Sequence, residues 1–266
     1  MAKANDAAGL GARELFSLKG RTALVTGASS GLGRDFAAML AANGARVVIA
    51  ARRRERLEAL AGEIEQAGGE ALAAAMDVED AASIAAAFDQ AEARFGTVDV
   101  LINNAGTATD GPVLDIDMAE WRQVMSINLD AVLAVSQEAA RRMADARTGG
   151  SIVNIASILG LEVKKGVAAY AVSKAGVVQL TKALALELAR YKIRVNAIAP
   201  GYVETDMNRG YLQSEAGQQM ISQFPQRRTG EARELCGAVL LLASDAGSYM
   251  TGSVIAADGG QSLVIP

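Results

Sequence analysis

Short apolar runs alternate with longer amphipathic stretches along most of the chain. Seven runs have the length and composition of buried strands: Thr22–Thr26, Arg46–Ala50, Glu70–Met76, Val98–Asn103, Ser151–Ile155, Ile193–Ile198 and Ser253–Ala257. Helical periodicity is predicted between them, at 31–43, Arg54–Gln66, Ala81–Phe95, Met118–Ala146, Ala168–Tyr191 and Ala232–Ala243. Strands that alternate with helices indicate a parallel sheet covered on both faces, because right-handed crossovers place helices there. The sequence therefore predicts an α/β fold, a single domain built on a doubly wound, seven-stranded parallel sheet.

Two segments depart from this rhythm. Residues 1–18 are mostly small or polar and lack periodicity, so we expect a flexible tail there and a folded domain over 19–266. Residues 200–230 are polar and carry Pro200, Gly201 and Pro225. Ligands of open α/β sheets bind beyond the carboxyl ends of the strands. The insert therefore predicts a substrate lid at about 202–228, with a passive surface loop as the alternative.

The composition excludes several classes of function. The chain has 266 residues, a formal charge of −4 and no apolar run near the ~18 residues of a membrane span, so no nucleic acid or membrane is expected as a partner. It contains no histidine, which excludes Ser-His-Asp hydrolysis and histidine-based zinc sites, and no metal is expected. Its one cysteine, Cys236, cannot form an internal disulfide, so we expect a reducing, cytoplasmic location and a packing role for that side chain.

A glycine-rich turn joins the first predicted strand to the first helix. Gly27, Gly31 and Gly33 follow the strand and open the helix. In that context glycines allow close backbone approach, and the free helix amides can bind the pyrophosphate of a dinucleotide. A tight turn without a ligand is the alternative, but the position at the first strand-to-helix junction favours cofactor binding.

The end of the second predicted strand indicates which dinucleotide is bound. No carboxylate stands there to bind a ribose hydroxyl, and Arg52 and Arg53 stand there instead. Guanidinium groups suit the 2′-phosphate of NADP. A solvated helix start is the alternative, and it accounts for Arg54 and Arg56.

Tyr170 and Lys174 lie four positions apart at the head of an apolar helical pattern, so they share one helix face. A lysine charge beside a phenol favours the phenolate, so we expect the pKa of Tyr170 to fall toward working pH, where the phenol can give or take a proton. The spacing alone is weak, and a chance pair is the alternative. Ser157, at the end of a predicted strand, strengthens the case because its hydroxyl can donate to the same oxygen. With no histidine in the chain, Tyr170 is the expected general acid or base.

Several short motifs occur in a fixed order from about residue 19 to the end of the chain. They are Thr26-Gly-Ala-Ser-Ser-Gly-Leu-Gly33, Asn103-Asn-Ala-Gly106, Asn128, Ser157, Tyr170 with Lys174, and Pro200-Gly201 followed by Thr205. Together they resemble the short-chain dehydrogenase/reductase family. The resemblance implies a Rossmann-type fold and a homotetramer.

The resemblance also implies a role for each motif. Asn128, Ser157, Tyr170 and Lys174 would be the catalytic set. The expected cofactor residues, besides Tyr170 and Lys174, are Gly27, Ser29, Ser30, Gly31, Leu32 and Gly33 in the turn, Arg52 and Arg53 at the 2′-phosphate, Asp77 and Val78 at the adenine, Asn104, Ala105 and Gly106 on the adenosine ribose side, and Pro200, Gly201, Val203 and Thr205 at the nicotinamide. A basic residue at Arg52 usually signals NADP in this family, so NADP(H) is expected in preference to NAD(H). Ser30 stands where many NADP-preferring members carry a basic residue.

The expected chemistry is hydride transfer between NADP(H) and a carbonyl group. Ser157 and Tyr170 would polarise the substrate oxygen, and Tyr170 would supply the proton. Lys174 would keep the phenol acidic and hold the ribose. Asn128 would bind a water that replaces the proton, and an amide bonded to backbone within a helix is the alternative.

The substrate pocket is predicted to be apolar. Its expected residues flank the catalytic positions: Leu159, Leu161, Val163, Tyr202, Val203 and Met207. Lys164 and Lys165 precede the catalytic helix and would meet an anionic substrate group or, alternatively, solvent. The predicted function is an NADP(H)-dependent oxidoreductase that interconverts a ketone (or aldehyde) and a secondary alcohol.

Two other functions stay open. A 3-oxoacyl-(acyl-carrier-protein) or acyl-CoA reductase would use the same site, with Arg141 and Arg142 meeting an acidic carrier or, alternatively, complementing a helix end. A non-catalytic nucleotide-sensing protein on the same fold would be expected to have lost Tyr170 or Lys174, and the chain has kept both.

Overall fold

The structure is a computed structural model that describes residues 11–205 and 208–264. Seven strands form one parallel sheet in the order β3-β2-β1-β4-β5-β6-β7. They are β1 Thr22–Thr26, β2 Arg46–Ala51, β3 Glu70–Ala75, β4 Val100–Asn103, β5 Gly150–Ile155, β6 Ile193–Pro200 and β7 Val254–Ala257. The predicted doubly wound α/β fold is confirmed.

Helices connect the strands and cover both faces of the sheet. They are α1 Ala12–Leu15, α2 Gly31–Ala42, α3 Arg54–Gln66, α4 Ala81–Phe95, α5 Met118–Met125, α6 Ala131–Ala146, α7 Ala168–Leu188, α8 Arg209–Leu212, α9 Glu215–Ser222 and α10 Ala232–Ala243. Every residue of β1 and β4 is buried, as expected for strands covered on two sides. Helices α2, α3 and α10 pack on one face of the sheet, and α4, α6 and α7 pack on the other.

The strand order creates the crevice in which ligands of this architecture bind. Strand β1 pairs with β2 on one side and with β4 on the other, so the direction of winding reverses between β1 and β4. A crevice opens at such a switch point, outside the carboxyl ends of the strands. The segments that follow β1 and β4, the glycine turn and Asn103–Gly106, therefore meet at this edge.

The long helix predicted at Met118–Ala146 is interrupted, which corrects that prediction. Ser126–Asp130 forms a π-helical turn, in which the amide of Ala131 donates to the carbonyl of Ser126 five residues earlier. The extra residue in the turn accompanies full burial of Asn128, and π-turns of this kind are frequent at functional sites. Periodicity alone did not reveal the interruption, because α5 and α6 are both helical.

The segments outside the regular pattern also have structure. Within the predicted tail, α1 is a four-residue helix and Leu18 is fully buried, so the fold begins before residue 19. Residues 1–10 lie outside the described residues. The predicted lid contains α8 and α9. Across residues 11–205 and 208–264, no helix has the length and apolar character needed to cross a bilayer.

Candidate active site

Lys174 lies in the second turn of α7 and is almost completely buried. Its Nζ donates to the carbonyl of Ile155, at the end of β5, over 2.8 Å. The same atom lies 5.7 Å from the centroid of the Tyr170 ring. Burial lowers the pKa of Lys174 to about 8, because the charged form loses its hydration. The predicted Tyr170/Lys174 pair therefore forms one side of a site at the carboxyl edge of the sheet.

The Tyr170 phenol is half-buried beside Ser157. Its pKa is raised, first by burial and further by the nearby Tyr202, while a hydrogen bond with Ser157 lowers it. The expectation that Lys174 would bring this pKa below the usual value for tyrosine is wrong for the protein alone. The physical reason is that Lys174 bonds a carbonyl and lies at the ring, while desolvation disfavours the phenolate.

Asn128 is fully buried in the π-turn and uses its amide on neighbouring groups. Its Oδ1 accepts from the amide of Thr107 at 2.8 Å, and its Nδ2 donates to the Thr107 carbonyl at 2.9 Å. Nδ2 also donates to Ser173 Oγ at 3.0 Å, and Ser173 donates to the carbonyl of Tyr170 at 2.7 Å. The backbone that Asn128 bonds is that of Thr107, 21 residues away, and not that of its own helix. Its bond to Ser173 ties the π-turn to the start of α7.

The glycine turn after β1 has the geometry that a pyrophosphate needs. Gly27 and Gly31 adopt positive φ values of 66° and 57°, which favour glycine. A Cβ on Gly27 would lie 2.9 Å from the Cα of Ala105, so only glycine allows this approach to the segment after β4. Ser30 occupies the N-cap of α2 in an extended conformation and makes no side-chain cap bond. The first amides of α2 are thus left without a side-chain cap, whereas Asp80, Asp117 and Ser214 cap α4, α5 and α9.

The segment after β4 is held between the glycine turn and Lys174. Thr26 Oγ1 accepts from the amides of Asn104 and Ala105, each at 2.9 Å. The Asn104 side chain donates to the Thr26 carbonyl at 3.0 Å. A Cβ on Gly106 would lie 3.6 Å from Lys174 Nζ. Asn104 therefore braces the turn, and Gly106 leaves Lys174 room at the crevice.

Arg53 supplies the positive charge at the glycine turn. Its Nη2 donates to Ser29 Oγ at 2.9 Å and to Ser30 Oγ at 3.1 Å. Arg52 is exposed next to it. The basic residue missing at position 30 is thus replaced by a guanidinium that reaches the turn from the end of β2. Sequence reasoning found the arginines but not which of them contacts the turn.

The remaining arginines near this turn are paired with carboxylates. Arg34 forms an ion pair with Glu63, and Arg54 pairs with Glu58 at 2.7 Å along α3. The solvated helix start is therefore the right description of Arg54. The predicted adenine residues, Asp77 and Val78, follow β3 next to the end of β2.

The segment after β6 is fixed by a residue that sequence reasoning missed. Gln261 is buried, and its Oε1 accepts from the amide of Tyr202 at 2.7 Å. A Cβ on Gly201 would lie 2.9 Å from Asp258, so the turn at Pro200-Gly201 packs closely on the segment after β7. Nothing near Gln261 in the sequence marks it, because its partner lies 59 residues away. Thr205 meets the glycine turn, with its Cγ2 3.6 Å from where a Cβ on Gly31 would lie.

The predicted substrate residues differ in exposure. Leu159 is buried in a small cluster against Tyr170, whereas Val163 is 75% exposed. Tyr202 is half-buried and stacks on Phe224 with ring centroids 5.8 Å apart. Val203 is buried and pairs with Gly230, so the two ends of the predicted lid lie side by side. Met207 lies outside the described residues.

Comparison with known proteins identifies the family. A sequence model of the family described as enoyl-(acyl carrier protein) reductase matches residues 27–262. The chain is 38% identical to a 3-oxoacyl-(acyl-carrier-protein) reductase of Thermotoga maritima, over 91% of this chain and 98% of that protein. It is 41% identical to cis-4-hydroxycyclohexanecarboxylate dehydrogenase of Sinomonas cyclohexanicum, over 92% and 97%.

Solved structures agree with this assignment. A gluconate 5-dehydrogenase of Burkholderia cenocepacia, in complex with NADP and tartrate, superposes with a TM-score of 0.91 at 38% identity, covering 96% of this chain and all of that chain. A short-chain type dehydrogenase/reductase of Mycobacterium marinum superposes with a TM-score of 0.90 at 39% identity, covering 95% and 99%. The likenesses extend over nearly the whole length of this chain and of each relative. The chain belongs to the short-chain dehydrogenase/reductase family of oxidoreductases.

Proposed function

We propose that the protein is an NADP(H)-dependent oxidoreductase that interconverts a ketone (or aldehyde) and a secondary alcohol, with Tyr170 as general acid and base. The observation that carries the proposal is the position of Tyr170, Ser157 and Lys174 at the carboxyl edge of the sheet, across the crevice from the glycine turn. A non-catalytic nucleotide sensor would have no need of this arrangement. The related gluconate 5-dehydrogenase was crystallised with NADP, which supports the choice of cofactor.

The residues at the crevice fit a dinucleotide. The close approach at Gly27 and the amides at the start of α2 suit the pyrophosphate, and Arg53 with Arg52 suits a 2′-phosphate. Gly106 beside Lys174 leaves space for a ribose. When bound, the cofactor supplies or accepts the hydride. The protein contributes binding, orientation and the proton.

The reaction proposed for the chain's own residues is as follows. The hydroxyls of Ser157 and Tyr170 donate hydrogen bonds to the substrate carbonyl oxygen and polarise it. As the oxygen becomes an alkoxide, Tyr170 gives it a proton. A raised phenol pKa keeps Tyr170 protonated at neutral pH, which suits reduction. Lys174, held by the Ile155 carbonyl, would stabilise the phenolate that remains and bind the ribose hydroxyls.

An absorbance assay tests the proposal. We expect the wild-type protein to oxidise NADPH when a ketone from a broad panel is added, and to consume little NADPH without one. The panel should include a 3-oxoacyl thioester. No turnover with any member of the panel, despite NADPH binding, would support the nucleotide-sensing alternative instead.

The basis of cofactor preference has its own test. Arg53→Ala should raise the KM for NADPH roughly tenfold, because it removes a charge-assisted partner of the phosphate, and should leave the KM for NADH nearly unchanged. Arg56→Ala, an exposed arginine on α3, is the matched control. Equal use of NADH and NADPH by the wild type would contradict the preference proposed here.

A 3-oxoacyl thioester reductase is the second candidate, because relatives with that name are 38% identical over nearly their whole length. The arginine pair considered for carrier docking does not favour it. Arg142 forms ion pairs with Asp89, Glu92 and Glu138, and it lies toward the end of α6, at the opposite edge of the sheet from Tyr170. Relative kcat/KM for a ketone and for a 3-oxoacyl thioester separates the two candidates.

A cytoplasmic homotetramer is proposed as the working form. Helices α6 and α7 expose apolar side chains, among them Leu133, Val172 and Leu186, the last 83% exposed. Symmetric oligomers bury such surfaces. Light scattering should give about four times the 27.5 kDa mass of one chain. A mass equal to one chain at micromolar concentration would exclude it.

A further inference from the structure

Lys164, in the loop before α7, contacts side chains of the predicted lid. Its Nζ donates to the hydroxyl of Tyr202 at 2.7 Å and to Met220 Sδ, on α9, at 3.2 Å. The ammonium also lies 5.0 Å from the ring centroid of Tyr202 and 5.6 Å from that of Tyr211, on α8. The side chain is partly buried. Three side chains of the predicted lid therefore surround one lysine.

Every one of these contacts is with a neutral group. Among the residues that the structure describes, no carboxylate lies within ion-pair distance of Lys164. Aromatic rings and a thioether compensate only part of the hydration that a charge loses on burial. An ammonium has three donors. The Tyr202 hydroxyl and the Met220 sulfur accept two of them, which leaves one for an anion.

The segments that carry these contacts lie at the same edge of the sheet as the reacting groups. Tyr202 follows β6, and Ser157 follows β5, its direct neighbour in the sheet. Both segments therefore leave the sheet at the same edge as Tyr170. Tyr202 is close enough to Tyr170 to affect the ionisation of its phenol. Lys164, which bonds the Tyr202 hydroxyl, therefore lies at the same edge of the sheet as the proton donor.

We propose that Lys164 binds a carboxylate of the substrate, so that the physiological substrate pair is an oxo acid and the corresponding hydroxy acid. The inference rests on the proposed function, which supplies the reaction but not the substrate class. The aromatic walls formed by Tyr202 and Tyr211 pack against the carbon chain between the two polar ends. The ammonium fixes which end of the substrate enters, and the carbonyl then lies toward Ser157 and Tyr170.

Matched pairs of substrates test the inference. Straight-chain oxo acids of increasing length are each compared with their own methyl esters, with NADPH in excess. For the best acid of the series, we expect the wild type to prefer the acid over its ester by roughly ten- to a hundredfold in kcat/KM, mostly through KM, the effect of one charge-assisted bond. Lys164→Met should abolish this preference. Lys164→Arg should retain most of it, because it keeps the charge.

Lys165→Met is the control, since Lys165 is exposed and adjacent but makes none of these contacts. It should leave the preference for the acid unchanged. The readout is the ratio of kcat/KM for the acid to kcat/KM for its ester. A displaced lid would lower both values together and leave this ratio unchanged. Retention of the preference in Lys164→Met would overturn the inference, and so would a wild type that reduces acids and esters equally well. A wild type that reduces ketones of the broad panel but none of these acids would also overturn the inference. A wild type that binds NADPH and reduces no carbonyl compound of either set would overturn the proposed function itself, which is a separate result.

Discussion

Two groups of cations, one at each edge of the sheet, differ in the partners that hold them. At the amino edge, Arg21 lies 3.1 Å from Asp99 and 3.0 Å from Asp245, and Arg142, toward the end of α6, contacts three carboxylates at 2.7–2.8 Å. At the carboxyl edge, Lys174 bonds a carbonyl, Arg53 bonds two hydroxyls and Lys164 bonds a phenol. These two arginines at the amino edge are paired with carboxylates, whereas these three cations at the carboxyl edge are held by neutral oxygens. Arg34 and Arg54, also near the glycine turn, do pair with carboxylates and belong to the first group.

This difference separates structural cations from functional ones. A cation paired with carboxylates has little remaining attraction for an anionic ligand. A cation held by neutral oxygens still produces a positive electrostatic potential that attracts one. Arg194 shows that neutral partners alone are insufficient evidence. It bonds the carbonyls of Leu242 and Ser244 at the end of α10, where the helix dipole is negative. The carboxyl edge differs because its cations also surround the crevice that the strand order opens.

The largest expected effect of a substitution is at Tyr170. Tyr170→Phe removes only the hydroxyl, so turnover should fall on the order of 10² or more, the scale of a general-acid contribution. The fold and NADPH affinity should be retained, since the ring still packs against Leu159 and Ala171. Steady-state kinetics with fluorescence titration of NADPH measures both quantities. A variant that binds NADPH and still turns over near the wild-type rate would show that the proton comes from elsewhere.

Lys174→Met should stabilise the protein while abolishing most of its activity. Burial lowers the pKa of Lys174 to about 8, against 10.5 for an exposed lysine. Below pH 8 the full cost of burying the charge is present, about 3 kcal/mol. The variant escapes this cost but loses the bond to the Ile155 carbonyl, worth about 1 kcal/mol. We therefore expect the free energy of unfolding to rise by about 2 kcal/mol at neutral pH.

The gain in unfolding free energy expected for Lys174→Met should decrease as the pH rises. Between pH 8 and 10.5 the unfolded wild-type chain holds a proton that the folded protein has released, so wild-type stability rises with pH across this window. The advantage of Lys174→Met should shrink accordingly. Denaturant unfolding of the cofactor-free proteins near neutral pH and near pH 10 measures the change. Lys182→Met, an exposed lysine on the same helix, should give no gain at either pH.

The smallest expected effect is at the amino edge. Arg142→Met should lower the free energy of unfolding by about 1 kcal/mol, because it leaves Glu92 half-buried without this partner and Glu138 with only the longer contact to Arg141. It should leave kcat/KM unchanged. Arg141→Met is the matched control, since Arg141 is mostly exposed and contacts Glu138 at only 3.4 Å. A loss of activity in Arg142→Met without loss of stability would break the distinction between the two edges.

The sequence by itself determined the fold class and the identity of the central groups. All seven strands lie where the apolar runs predicted, because strand and helix periods are local properties that a few neighbouring residues encode. The pairing of Tyr170 with Lys174 followed from helix spacing. The glycine turn followed from its place between a strand and a helix.

Only the tertiary structure decided how these groups behave. The raised pKa of Tyr170, the contact of Arg53 with the turn, the support of Tyr202 by Gln261 and the neutral surroundings of Lys164 all depend on residues distant in the sequence. Desolvation and side-chain direction are set by what packs around a residue from other segments. A local sequence pattern does not specify those neighbours. The sequence therefore identifies the charged residues, and the tertiary structure determines which of them are not paired with carboxylates and can attract an anionic ligand.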